Sequence, residues 1–203
     1  MAFARRGCDV FAVEPDSSAV TIGKMKARRA GVDPDRFSCN RGEDLPFSSG
    51  TFDVVWCYTV LEHVHSVEAC VSEMVRVVRP LGRVFIMAPD YRQFYEPHYK
   101  ITMPMFFPKR LLRLWLRLLG RPVDFFDTLR FISSRMLANM FQDLPVTAFQ
   151  VYHPWPEEWK SKASLSMRLI KTMTRILSIQ RDQCWVLQKL KAPCSISKES
   201  TKK

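Results

Sequence analysis

At 203 residues, 47% hydrophobic and 25% charged, the chain has the profile of one folded domain with a sizeable core, which excludes a disordered or fibrous protein. The net charge of +11 is lopsided: residues 1–90 carry 11 Lys and Arg against 12 Asp and Glu, whereas residues 91–203 carry 20 against 8. No apolar run reaches the roughly 20 residues of a membrane span, MAFARRGCDVFAVEPD lacks a signal peptide's apolar core, and six cysteines show no CxxC or metal-ligand spacing, so a cytoplasmic protein with reduced thiols is expected.

Cys8–Val13 (CDVFAV) reads as a buried strand ending at Glu14. Asp16 or Ser17 can cap a helix through Ala30, which Gly31 stops. Arg36–Asn40 is a weaker strand, and Phe52–Cys57 (FDVVWC) a stronger one after the Ser48-Ser49-Gly50 turn. From Ser66 the apolar residues Val67, Cys70, Val71, Met74, Val75 and Val78 fall on one helical stripe, with Glu68, Ser72, Glu73, Arg76 and Arg79 on the other side. Pro80 and Gly82 end that helix, and Arg83–Ala88 makes the next strand. Alternating strands and helices with two-sided apolar strands predict an α/β fold, a doubly wound parallel sheet. Right-handed crossovers then bring Glu14, Asn40–Asp44, Cys57 and Pro89-Asp90 to one edge, where such sheets bind ligands.

Beyond Asp90, residues 91–108 are aromatic and proline-broken. Lys109–Leu119 is a helix with Arg110, Arg113 and Arg117 on one face; it fits either a buried helix or an interfacial one at a membrane surface. Ser133 or Ser134 caps a helix through Phe141; Val146–Tyr152 and Cys184–Leu190 read as strands, and Glu157–Ile179 as a basic amphipathic helix. The organisation expected is one domain over 1–190 (2–90 cofactor half, 91–145 cover insertion, 146–190 closing elements) and a disordered basic tail, 191–203. The basic second half fits an anionic partner or a merely solvated face, and nucleic acid is disfavoured because no binding motif accompanies the charge.

Taken in order, Glu14, Glu43-Asp44-Leu45-Pro46-Phe47, Phe52-Asp53-Val54-Val55, Leu61-Glu62-His63-Val64 and Arg79-Pro80-Leu81-Gly82-Arg83 resemble the class I S-adenosylmethionine-dependent methyltransferases, in particular the ubiquinone- and menaquinone-biosynthesis group. The resemblance covers about residues 2–90. It implies S-adenosyl-L-methionine as cofactor, with Glu14 on the ribose hydroxyls, Gly42, Glu43 and Asp44 around the adenine, and Cys57 offering backbone groups to the methionine moiety. It also implies a Rossmann-like sheet lacking, in this sequence, the family's first strand and glycine-rich loop. The loss of that central strand would expose two ladders or force them to pair directly. Arg41 stands where an Asp often meets the adenine amine, and Leu81 replaces the first Gly of a Pro-Gly-Gly turn, leaving Gly82 to supply a positive φ.

Glu62 and His63 are the catalytic candidates, since imidazole near an acceptor hydroxyl suits proton abstraction near neutral pH; the alternative is that His63 only caps the loop before Ser66. Some quinone-pathway relatives use the Glu-His pair with an earlier Glu to hold a metal; here Thr59 takes that place, so no metal site is expected. His65, His98 and His153 have no partner pattern. Phe94, Tyr95, Tyr99, Phe106 and Phe107 could wall an apolar acceptor. The expected function is methyl transfer to a small-molecule or lipid-like acceptor at oxygen or carbon, with peripheral membrane contact through 109–119 if that helix is interfacial. The alternative is a truncated, non-catalytic remnant that acts as a binding protein.

Overall fold

The computed structural model describes residues 2–92, 95–96, 98–99, 101–102, 107–151 and 182–191. The expected helix over 157–179, His153, Phe94, Phe106 and nearly all of the tail lie outside them. Of the CDVFAV run only Ala12–Val13 forms a strand, β1, and Cys8 is exposed. Asp16 caps α1 (Ser17–Arg29) by accepting the Ser18 N–H at 2.8 Å, and Gly31 ends it at φ +68°. β2 (Phe37–Ser38) pairs with β1 in parallel.

The main sheet begins with β3 (Phe52–Tyr58). Ser66 then caps α2 (Val67–Val77) through the Ala69 N–H at 3.1 Å. The apolar stripe is buried in full, from Val67 to Val78. The helix stops at Val77, however, and Val78 already belongs to β4 (Val78–Pro89), because Pro80 cannot continue a helix and biases its predecessor toward extended backbone. β3 and β4 run parallel, with Val54 opposite Arg83 and Tyr58 opposite Met87. At the turn inside β4 it is Leu81 that takes the left-handed conformation, φ +65°, and not Gly82 as expected. Gly82 is needed for space: a Cβ there would lie 2.7 Å from Val78 Cγ2 and 2.8 Å from the Asp53 carbonyl oxygen.

Two antiparallel strands close the sheet, β7 (Val146–Val151) and β8 (Asp182–Lys189), in the order β3-β4-β8-β7. Between β4 and β7 come a short antiparallel pairing of β5 (Tyr95–Glu96) with β6 (Ile101–Thr102), then α3 (Lys109–Leu118), α4 (Asp124–Thr128) and α5 (Ser134–Gln142). Val84 and Ile86 of β4, Leu187 and Trp185 of β8, the α2 stripe and Leu112, Leu116, Phe126, Leu137 and Phe141 form one core. The sheet is therefore mixed, parallel only between β3 and β4.

β1–β2 and β3–β4 belong to separate sheets, and Val54, Trp56 and Tyr58 on β3 are each about half exposed. Aromatic contacts bridge the gap instead: Phe11 packs on Phe47 and Phe52 at 5.8 and 5.7 Å between ring centroids, and Phe3 lies 5.9 Å from Trp56.

Candidate active site

The carboxyl ends of β1, β2 and β3 carry the expected cofactor residues. Glu14 follows β1 directly; its N–H donates to the Ser38 carbonyl at 3.2 Å, and its exposed carboxylate accepts the Asp16 N–H at 3.1 Å. Four residues beyond Ser38 comes Gly42. Its missing Cβ makes room for α2, since a Cβ there would sit 2.8 Å from Cys70 Sγ. Cys70 and Cys57 are buried thiols whose charges would repel, and burial pushes both upward, Cys70 to about 12. Gly42 thus packs against Cys70 in the first turns of α2.

Glu43 has partners within the protein. Its carboxylate accepts the backbone N–H groups of His65 at 2.6 Å and Ser66 at 3.3 Å, so it holds the entrance to α2. Asp44 remains exposed at the bend. Burial alone would raise the Glu43 carboxyl, but the surrounding N–H groups, its own included, outweigh it and bring it below the ordinary 4.5. A lowered folded-state value means stability that is present at neutral pH and lost as pH falls from about 4.5 through the folded value. Glu43→Gln should therefore be about 1–2 kcal/mol less stable than the parent at pH 7 and lose less between pH 5 and 3, as read by denaturant titration. An unchanged slope in that window would remove the assignment.

Glu73 and Arg76 are not on a free solvent face either. Arg76 donates to the carbonyls of Phe47 and Leu45 at 2.7 and 3.0 Å, and Glu73 accepts the Leu45 N–H at 2.8 Å. Together they hold the Leu45-Pro46-Phe47 turn against α2.

Past Tyr58, Thr59 adopts φ +50°, an uncommon conformation for a β-branched residue, and the chain turns into Leu61, Glu62 and His63. Glu62 is fully buried, and among the described residues neither carboxylate oxygen meets a partner in hydrogen-bond geometry. Burial pushes it up to about 7, opposed first by its own backbone N–H and then by nearby His98. His63 places Nε2 3.9 Å from Glu62 Oε1, and burial followed by His98 lowers its pKa, favouring the neutral ring. His98, for which no partner pattern was expected, also belongs here. It stacks edge-on to His63 at 5.3 Å, its Nδ1 lies 2.8 Å from Glu96 Oε1, and that hydrogen bond raises its pKa. The Glu96-Pro97-His98 run within an aromatic segment was the available signal. The ligating atoms of Glu62, His63 and His98 all lie within 4.8 Å of one another.

Phe125 closes the wall, 5.8 Å from His63, 5.2 Å from His98 and 6.3 Å from Tyr99. Segment 129–134 pins the loop from outside: Arg130 N–H donates to the Glu62 carbonyl at 2.8 Å, and Arg130 Nε to the Val64 carbonyl at 3.1 Å.

With this geometry in view, residues 1–86 match the family model described as a methyltransferase domain. Over that stretch, less than half of its length, the chain is similar to the class I S-adenosylmethionine-dependent methyltransferases. The chain is 27% identical over 153 residues to a demethylmenaquinone methyltransferase of Bacillus cytotoxicus, covering 70% of the chain and 61% of that relative. It is 32% identical over 83 residues to a ubiquinone biosynthesis O-methyltransferase of Rhizobium etli, covering 41% of the chain and 33% of the relative. The chain thus spans less than two-thirds of the length of these relatives. Among solved structures, the geranyl diphosphate C-methyltransferase of Streptomyces coelicolor superposes with a TM-score of 0.58 at 17% identity, over 92% of this chain and 64% of that one. At that identity the likeness is one of fold.

The family's cofactor is S-adenosyl-L-methionine. Glu14 presents an exposed carboxylate at the end of β1, and the Gly42–Asp44 bend follows β2. None of the seven glycines stands in a Gly-x-Gly sequence.

Proposed function

We propose that the chain binds S-adenosyl-L-methionine and transfers its methyl group to a small, apolar or lipid-like acceptor at oxygen or carbon. The observation that carries this reading is the family match across residues 1–86, which includes every group at the carboxyl ends of β1, β2 and β3. When bound, the cofactor supplies an electrophilic methyl on sulfur. The chain's own part is then alignment: Glu14 accepts from the ribose hydroxyls, Gly42 and Asp44 border the adenine, and the strand end at Cys57 meets the methionine portion. On the acceptor side, neutral His63 takes the acceptor's proton, with the buried Glu62 carboxyl 3.9 Å from its ring. Phe125, beside His63, supplies apolar surface for the acceptor.

A lipid-like acceptor draws support from α3. Leu112 and Leu116 alone are buried, whereas Leu111, Leu114, Trp115 and Leu118 form a second, exposed apolar stripe. Arg110, Arg113 and Arg117 flank it, which is the layout of a helix lying in a membrane interface. No described helix is long and apolar enough to cross a membrane. Co-sedimentation with vesicles rich in anionic lipid should retain the chain, and Leu114→Glu with Leu118→Glu should weaken retention by about 10-fold or more. Equal retention of both would sink the interfacial reading.

Calorimetric titration with S-adenosylhomocysteine tests the core of the proposal. Saturable one-to-one heat is expected. Absence of heat at millimolar ligand would favour the non-catalytic binding protein.

A further inference from the structure

We infer that Glu62, His63 and His98 form a binding site for a transition-metal dication of the zinc type. This goes beyond the methyl-transfer reading and does not depend on it. Three features point the same way. Among the described residues the two oxygens of the fully buried Glu62 carboxylate have no hydrogen-bond partner, and one of them lies within 4.8 Å of a ring nitrogen of each of two imidazoles. Buried carboxylates are retained in proteins when they are paired or hold a cation. The third feature is the fixing of His98: Nδ1 is committed to Glu96 Oε1 at 2.8 Å, leaving Nε2 as the ligating atom. A carboxylate behind a histidine is the arrangement that orients metal-bound imidazoles, and Glu96 is itself buried and steadied by the Tyr99 N–H at 2.6 Å.

The surroundings are cation-seeking. The charges of Glu96 and Asp182 act on the same small volume, and the buried hydroxyl of Tyr91, influenced by Glu96 and Glu62, likewise has no partner. Two imidazole nitrogens and one carboxylate suit zinc-type dications better than magnesium, which prefers oxygen ligands, and they leave a coordination position open. The ligand set is split between the loop after β3 and the cover segment. Thr59, which lacks a carboxylate, is not part of it, so the expectation of no metal site gives way to one completed by His98. With a cation held there, His63 would serve as a ligand in place of a base, and the ion would supply Lewis acidity toward an acceptor hydroxyl.

The test uses the full chain, stripped with chelator and free of cofactor. Titration with Zn²⁺ should load one ion per chain, and Co²⁺ should give the visible absorption of a low-symmetry site. Mg²⁺ at equal concentration should not compete. His98→Ala and the volume-conserving Glu62→Gln should each weaken Zn²⁺ binding by at least about 10-fold, while the double variant Cys8→Ser and Cys39→Ser, which removes the exposed thiols, should bind as the parent does. Unfolding curves check that His98→Ala, altered on the cover segment, remains folded. Equal affinity in parent and His98→Ala, loss of binding with the thiols, competition by Mg²⁺, or no binding at all would overturn the assignment.

Discussion

Asp90→Ala is expected to lower the free energy of unfolding by about 3 kcal/mol, the scale of losing a buried, multiply bonded carboxylate. Asp90 ends β4 with no exposure. It accepts from Arg92 Nη2 at 2.6 Å and Nε at 3.0 Å, and from the Ser134 hydroxyl at 3.0 Å. Arg92 Nη2 also reaches the Ser134 hydroxyl. Ser134 opens α5, so the carboxylate also sits at a helix N-terminus, where negative charge is favoured. Arg92 is 42% exposed and regains water when its partner is removed, which keeps the loss at the lower end of the range for broken buried pairs. Asp90→Asn keeps the shape and should lose about half as much. The effect reaches the site, because segment 129–134 that Asp90 anchors is the one that holds the Glu62 and Val64 carbonyls. Urea denaturation of the three proteins measures it. A difference under about 1 kcal/mol for the alanine variant would show that β4 and α5 are held together by apolar packing alone.

The second large effect concerns affinity rather than stability. Glu14→Ala should weaken S-adenosylhomocysteine binding about 30- to 100-fold, the loss of two hydrogen bonds from ribose hydroxyls to an ionised carboxylate. Glu14 is exposed, and its carboxylate accepts a short-range hydrogen bond from the Asp16 N–H, so unfolding should be little changed. That contrast makes the test clean. An affinity loss without a stability loss places the ribose at the end of β1. Unchanged affinity would move the adenosyl group elsewhere even if binding itself is real.

Local signals carried residues 8–88 well. Caps at Asp16 and Ser66, the six-residue stripe of α2 and the apolar run of β3 are short-range features, and each appears within a few residues of its expected place. Glu62 and His63 likewise fall where a loop after a strand puts them. The features they did not carry share another character. Glu43 accepts from a partner 22 residues away, and Arg76 holds carbonyls 29 and 31 residues upstream. Neither spacing leaves a periodic trace. Leu81 takes the left-handed turn because Gly82 is required for close approach to Val78 and Asp53, a demand set by the β3–β4 pairing.

By itself the amino-acid sequence determined the alternation of strand and helix, the family resemblance through the ordered motifs from Glu14 to Arg83, and the identity of the polar groups at the strand ends. These follow from periodicity and backbone preference, which act over a few residues. Only the tertiary structure decided that β1–β2 and β3–β4 stay apart, that α3 leaves an apolar stripe uncovered, and that His98 joins Glu62 and His63. Those outcomes rest on which surfaces meet after the chain has crossed and recrossed the sheet, and burial with no hydrogen-bond partner among the described residues, as at Glu62, is a property no single stretch of residues can announce.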